Sequence, residues 1–254
     1  MGRITETVKV LLTINIIFFV GSYFLDNRAT ELFALWFPEN ENFRFWQIIT
    51  HMFMHGGFIH IFFNMFLLYI FGSLLENYLG QARFLFLYFS AGLGAAGLQI
   101  LFTYFSFNSA YQAFLEAGAS PEQIQQVLHG VRFISSTQIE YHLIPTVGEE
   151  NTLKLIGTYW SPMVGASGAI FGILAAFAFI YPNVPLYLMF IPIPIKAKWL
   201  IGAYFVLSVF SAVTGIPILG PENTAHWAHI GGAIIGFICI YYWKKDQFRQ
   251  NRWD

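Results

Sequence analysis

Apolar residues run along this chain in long unbroken blocks rather than in alternation, and Lys, Arg, Pro and Asn bound the blocks. Runs of this kind predict membrane-spanning helices, in which every backbone polar group is satisfied within one segment. Six are expected: helix one from about Lys9 to Leu25, helix two from Phe58 to Leu75, helix three from Phe84 to Phe105, helix four from Gly165 to Tyr181, helix five from Ala197 to Val213, and helix six from Ala225 to Trp243. Several reach only about 17 or 18 residues, short for a hydrocarbon core of about 30 Å, which points to local thinning of the membrane. Between helices one and two the pattern is half apolar and broken, and the stretches Leu32 to Pro38 and Phe43 to Trp46 read as interfacial. Residues 106–160, between helices three and four, are polar enough for a subdomain outside the membrane. Within them Ser120-Pro121-Glu122-Gln123 starts a helix, with Ser120 as N-cap and Pro121 in the first turn, and Ile124, Val127, Leu128 and Val131 line one face.

Composition agrees with a membrane protein. Only 11% of the 254 residues are charged, against about 25% in an average soluble domain. A net charge of -1 supplies no basic field, so nucleic acid is not an expected partner. Cys239 is the only cysteine, which excludes intrachain disulfides and cysteine metal clusters. The block Val10 to Leu25 follows Arg3 and Lys9 and has the length of a signal peptide. It continues into Asp26-Asn27-Arg28 with no small-x-small site, so an uncleaved first span is expected.

If the six helices alternate, one side receives nine positive residues (Arg3, Lys9, Arg83, Lys196, Lys198, Lys244, Lys245, Arg249, Arg252) and the other four (Arg28, Arg44, Arg132, Lys154). The positive-inside rule then puts both termini in the cytoplasm and residues 106–160 outside. The expected organisation is a single membrane domain over residues 1–254, with 106–160 as an extracytoplasmic insertion, in the plasma (inner) membrane.

Polar residues inside apolar blocks are expensive, and three groups of them stand out. Helix two is entered through His51, His55, His60 and Asn64, the last two four apart and so on one face. Helix four opens Gly165-Ala166-Ser167-Gly168, with Phe171 and Gly172 following; helix six opens with His226 and His229, with Gly232 and Gly236 following. Gly168 with Gly172, and Gly232 with Gly236, are small-xxx-small pairs that let two backbones approach closely. His229 shares a face with Gly232 and Gly236, so a serine beside one glycine seam would meet a histidine beside the other. In that arrangement the imidazole takes the Ser167 proton during nucleophilic attack. No acid stands at that end to orient the ring, because Glu76 lies at the opposite side. The chemistry would be a dyad, with Phe171, one turn below Ser167, placed to stack on His229. Donors for a developing oxyanion would be the Ser167 N–H, His60 and Asn64.

Gly165-x-Ser167-Gly168, His229-x-x-Gly232-x-x-x-Gly236 and His55-x-x-x-x-His60-x-x-x-Asn64 resemble the three signature segments of the rhomboid family, and the likeness covers nearly the whole chain. The resemblance implies an all-α, six-transmembrane-helix rhomboid-like bundle and an intramembrane serine protease. It implies Ser167 as nucleophile, His229 as base, and His60, Asn64 and the Ser167 amide as oxyanion hole. By the same resemblance His55 supports the loops and waters at that end, and the segment between helices one and two is a hairpin in the outer leaflet. Three departures are visible: Trp46-Gln47 stands where the family commonly has Trp-Arg, Phe171 stands where some members have tyrosine, and residues 106–160 are longer than in minimal members.

Two other readings stay open. His51, His55, His60, His226 and His229 on one side of a bundle would suit a zinc or copper transporter. No carboxylate or cysteine accompanies them in the core, and His-Glu-x-x-His is absent, so neither a metal nor another cofactor is expected. A rhomboid-like protein that binds membrane clients without cutting them would be expected to lose Ser167 or His229, and both are present. The expected partners are the lipid bilayer and transmembrane protein substrates whose helix can unwind near the extracytoplasmic surface.

Overall fold

All six apolar blocks fold as helices in a computed structural model that describes residues 3–133, 147–188, 191–218, 220 and 224–250. Helix α1 (Glu6–Leu25) begins earlier than the hydrophobic pattern suggests. The reason is Glu76: its carboxylate accepts from the Thr5 hydroxyl and from the N–H groups of Thr7 and Val8 at 3.3 and 3.1 Å. A helix start leaves such N–H groups without intrahelical partners, and a buried carboxylate satisfies them with charge-assisted bonds.

After α1 the chain forms α2 (Asn27–Phe33) and the short α3 (Gln47–Thr50). Next comes α4 (Phe58–Leu79), which contains a π-helical turn at Leu68–Gly72. Gly80, at φ +77°, ends α4 with its N–H on the Glu76 carbonyl and turns the chain at once into α5 (Gln81–Glu116). This helix has 36 residues, about 54 Å at 1.5 Å per residue. It overruns its expected end near Phe105 because neither Gly nor Pro occurs between Gly97 and Gly118, so polar residues continue a helix that nothing interrupts.

Beyond it, α6 (Pro121–Phe133) opens with a reciprocal cap: the Gln123 N–H donates to Ser120 Oγ, and the Ser120 N–H donates to Gln123 Oε1 at 2.8 Å. Ile124, Val127 and Leu128 are buried as the face pattern predicts; the side chain of Val131, like His142, lies outside the described residues. Helix α7 (Glu149–Trp160) follows. With the end of α5 these two helices enclose a second small core that takes in Phe37 from the segment before α3.

The catalytic candidates lie on α8 (Ser167–Ile180) and α10 (His226–Gln250), with α9 (Ala197–Thr214) between them in sequence. Among the described residues four helices, α1, α4, α5 and α9, are long and apolar enough to cross a membrane, while α8 is apolar over 14 residues. The all-helical expectation needs one correction. Strands β1 (Pro185–Leu188) and β2 (Ile191–Lys196) form an antiparallel hairpin between α8 and α9. The alternation Ile191-Pro192-Ile193-Pro194-Ile195 carried that signal. Proline bars a helix interior, and both strands of a hairpin are edges that tolerate it.

Candidate active site

Small residues set how close the central helices come. A Cβ at Gly232 would fall on the Gly168 carbonyl, one at Gly236 on the Gly172 carbonyl, and one at Gly172 would stand 2.9 Å from the Gly232 carbonyl oxygen. On its other side α8 meets α5, where Cβ atoms at Gly168 and Gly172 would strike Ala95 and Ala91. The α8 and α10 backbones are therefore in direct contact, the packing expected where van der Waals fit rather than hydrophobicity holds helices together.

That contact brings Ser167 Oγ to 3.1 Å from His229 Nε2. The imidazole is buried and lies flat on Phe171, centroids 4.1 Å apart with planes 10° from parallel. Tyr204 of α9, which the sequence pattern did not single out, packs against Phe171 with centroids 4.8 Å apart. The ring is thus held by packing, with Nε2 turned toward the serine hydroxyl.

Helix α4 faces the same point. The Gly56 N–H donates to His60 Nδ1 at 3.4 Å, which fixes the neutral ring's proton on Nε2. That nitrogen is aimed at Gly165, where a Cβ would stand 2.8 Å away. Gly165 itself sits at φ +124°, so both the backbone conformation and the space at this position require glycine. Asn64 is buried, and its Nδ2 has no hydrogen-bond partner among the described residues. An unsatisfied buried donor costs about 1–3 kcal/mol, so a site that fills it with an acceptor recovers that energy. The Ser167 N–H, first in α8, also lacks an intrahelical acceptor by its position. His55 stacks edge-on to His60 at 5.1 Å and points Nδ1 at the Phe53 carbonyl, 3.3 Å away.

The loop before α4 is fastened to the serine loop. Leu35 and Met163 exchange two backbone hydrogen bonds of 2.9 and 2.8 Å, and the Gly165 N–H donates to the His51 carbonyl at 2.9 Å. Gln47, where the resemblance leads one to expect arginine, is fully buried and does the anchoring as a neutral amide. Its Nε2 donates to the Glu31 and Asn42 carbonyls at 2.9 and 2.8 Å, and its Oε1 accepts from the Arg44 N–H at 3.0 Å. A carboxamide carries both donors and an acceptor, so it closes this loop without burying a charge. His226 lies 6.0 Å from His229, centroid to centroid, and no three His, Cys, Asp or Glu side chains converge as metal ligands among the described residues.

His51 and His55 make this region acid-sensitive. Burial pushes the His51 imidazole down to about 4, against the raising effect of the Gln47 and Ile48 carbonyls. Burial first, then the neighbouring His60, pushes His55 down to about 3. Both folded values lie below the ordinary 6.5, so the folded state holds these rings neutral while the opened state takes up protons as pH falls below about 6.5. Stability is full above that pH and declines toward the folded values, by about 1.4 kcal/mol per pH unit for each ring. Thermal unfolding in detergent should therefore drop clearly between pH 7 and pH 5, and less in a His51→Gln variant. A melting temperature flat across that range would refute the assignment.

Known proteins match this chain along most of its length. The Rhomboid domain family profile matches residues 42–245. Rhomboid protein 1, mitochondrial, of Saccharomyces cerevisiae is 24% identical over 209 residues, which cover 81% of this chain and 44% of that protein. RHOMBOID-like protein 12, mitochondrial, of Arabidopsis thaliana is 28% identical over 207 residues, 81% of this chain and 48% of that one. Presenilin-associated rhomboid-like protein, mitochondrial, of Bos taurus is 27% identical over 230 residues, 89% of this chain and 44% of that one. The chain thus spans less than half the length of these curated relatives. Their names place those proteins in mitochondria, so the expected plasma membrane draws no support from them. With membrane-spanning helices on one side of the comparison and a family match over 42–245 on the other, the chain belongs to the rhomboid family of multi-pass membrane proteins.

Proposed function

We propose that this protein is an intramembrane serine endopeptidase that cleaves transmembrane segments with a Ser167–His229 dyad. The observation that carries the reading is the 3.1 Å approach of Ser167 Oγ to His229 Nε2, with the ring held flat on Phe171. Ser167 Oγ attacks the scissile carbonyl carbon while its proton passes to His229 Nε2. The oxyanion that forms accepts from His60 Nε2–H, Asn64 Nδ2–H and the Ser167 N–H. Collapse breaks the C–N bond, and the imidazolium returns its proton to the leaving amine. Water, activated by the same ring, then hydrolyses the acyl-enzyme and frees Ser167.

In this reading residues 1–254 form one domain of six membrane spans with the segment before α4 as an outer-leaflet hairpin, and 106–160 form an insertion outside the membrane. Both termini lie in the cytoplasm. A helical peptide bond hides its carbonyl in a hydrogen bond, so substrates are transmembrane helices with small or helix-breaking residues near the outer surface. The test is a panel of single-span substrates in liposomes: the parent protein should cleave at least one, and Ser167→Ala none. Equal cleavage by both would sink the reading. For orientation, in a Cys239→Ser background, a cysteine at exposed Gln126 should react with an impermeant thiol reagent in intact cells and one at Lys245 should not. The reverse pattern would invert the protein.

A further inference from the structure

Ser167 begins α8, and at the other end of that helix the β1–β2 hairpin leads into α9, away from the dyad. Its pairing sets two faces. Pro185 stands opposite Lys196 and Tyr187 opposite Pro194, so these four share one face, while Leu186 and Ile195 share the other. The second face is half-buried, with Leu186 packed against the main core. The first is exposed at all four positions, as are Ile193 and Trp199 beside it. We propose that this open face lies on the bilayer, and that Lys196 and Lys198 bind the phosphate of an anionic phospholipid in the adjoining leaflet.

Length, charge and backbone edges favour lipid as the occupant. The 14 residues of α8 span about 21 Å at 1.5 Å per residue, against a hydrocarbon core of about 30 Å. The chain leaving α8 therefore emerges where acyl chains give way to headgroups. The hairpin is held at that level because its ladder runs on into α9, through the Ala197 N–H on the Val184 carbonyl at 2.9 Å. Residues 161–221 contain no Asp or Glu, and Lys196 and Lys198 are both exposed. Lys198 Nζ lies 5.5 Å from the centre of the Trp199 ring. At the same end of the bundle Lys244 lies 5.0 Å from the Phe179 ring and the Arg83 guanidinium 5.9 Å from the Trp243 ring. Cations whose stems follow ring faces are typical of a membrane–water boundary, where anionic headgroups supply the counter-charge. The edges argue against a strand from a partner chain. With the Ala197 N–H turned inward, the alternation of an antiparallel ladder turns the 185, 187, 194 and 196 positions outward. Proline at 185 and 194 leaves no donor at those two, which makes a poor template for a further strand and suits an apolar boundary.

In a Cys239→Ser background, Ile193→Cys carries a nitrobenzoxadiazole fluorophore, and the protein is placed in mixed phosphatidylcholine and phosphatidylglycerol vesicles. A nitroxide quencher is put on the acyl chains of one lipid or of the other, at equal mole fraction. Both should quench, and the phosphatidylglycerol label more strongly. Lys196→Gln and Lys198→Gln should each reduce the relative affinity for phosphatidylglycerol by about five-fold. Arg28→Gln, exposed at the opposite end, should leave it unchanged. Absence of quenching would put the hairpin in water and overturn the proposal. Equal quenching by the two lipids would do the same, as would an Arg28→Gln effect equal to that of the lysines, which would reflect net charge alone. Unquenched probe together with a disulfide between two unlabelled Ile193→Cys copies would assign the face to a second chain. No step involves Ser167, so a protein that cuts nothing leaves this test intact.

Discussion

A fluorophosphonate probe is expected to label Ser167 in the folded protein, and His229→Ala to lose that label although the serine remains. An unassisted serine hydroxyl is too weakly acidic to attack phosphorus at neutral pH, so reaction requires a neighbouring base. The structure offers one such base to Ser167 Oγ, His229 Nε2 at 3.1 Å. Because nucleophile and base act as a unit, removal of the ring should slow labelling by at least about 10³-fold. Ser167→Ala should remove it outright. Asn64→Ala and His60→Ala should each cost on the order of 10²-fold, since in the proposed mechanism they would remove donors to the oxyanion and leave the dyad in place. Mass spectrometry of the labelled peptide reads all four variants. Labelling that survives His229→Ala would defeat the dyad, and a folded protein that takes no label would favour client binding without cleavage.

Gly232→Ala is expected to damage both stability and activity, although it adds one methyl group. Its Cβ would fall on the Gly168 carbonyl, a backbone atom that cannot rotate away, so α8 and α10 must separate. Overpacking of this kind costs about 1–3 kcal/mol. The larger consequence is catalytic, because the same helix contact sets the Ser167 to His229 distance, and a 1 Å misplacement of reacting groups costs about 10²-fold in rate. Gly97→Ala is the control: a Cβ there meets nothing within 4 Å. Replacing a helix-interior glycine by alanine with free space should raise stability by up to about 1 kcal/mol. Opposite signs for the two substitutions, read by thermal unfolding and by labelling rate, would establish the seam. A Gly232→Ala protein with unchanged melting and rate would show that the helices do not depend on that contact.

Residue order alone dictates which segments are helical and which polar groups are out of place in them. Long apolar blocks leave the backbone no partner but itself, so α1, α4, α5, α8, α9 and α10 were legible from residue order. His60 with Asn64, and His229 with Gly232 and Gly236, were legible because helical spacing puts them on one face before any packing is known. Helix ends were less so. Glu76 extends α1 from a point far along the chain, and α5 continues to Glu116 because nothing in 98–117 interrupts it. The β1–β2 hairpin was marked by Pro192 and Pro194 and not by hydropathy, which cannot tell an apolar strand from a helix.

Distances come from the packing of whole helices. Glycine spacing says that two helices are able to touch, but the 3.1 Å between Ser167 and His229 follows from which carbonyl each glycine rests against. Gln47 in the Trp46-Gln47 pair read as a departure, yet its amide closes the loop through three main-chain bonds of 3.0 Å or less. Hydrophobic periodicity is a property of neighbours along the chain, whereas contact between distant carbonyls, rings and amides depends on the packing of whole helices.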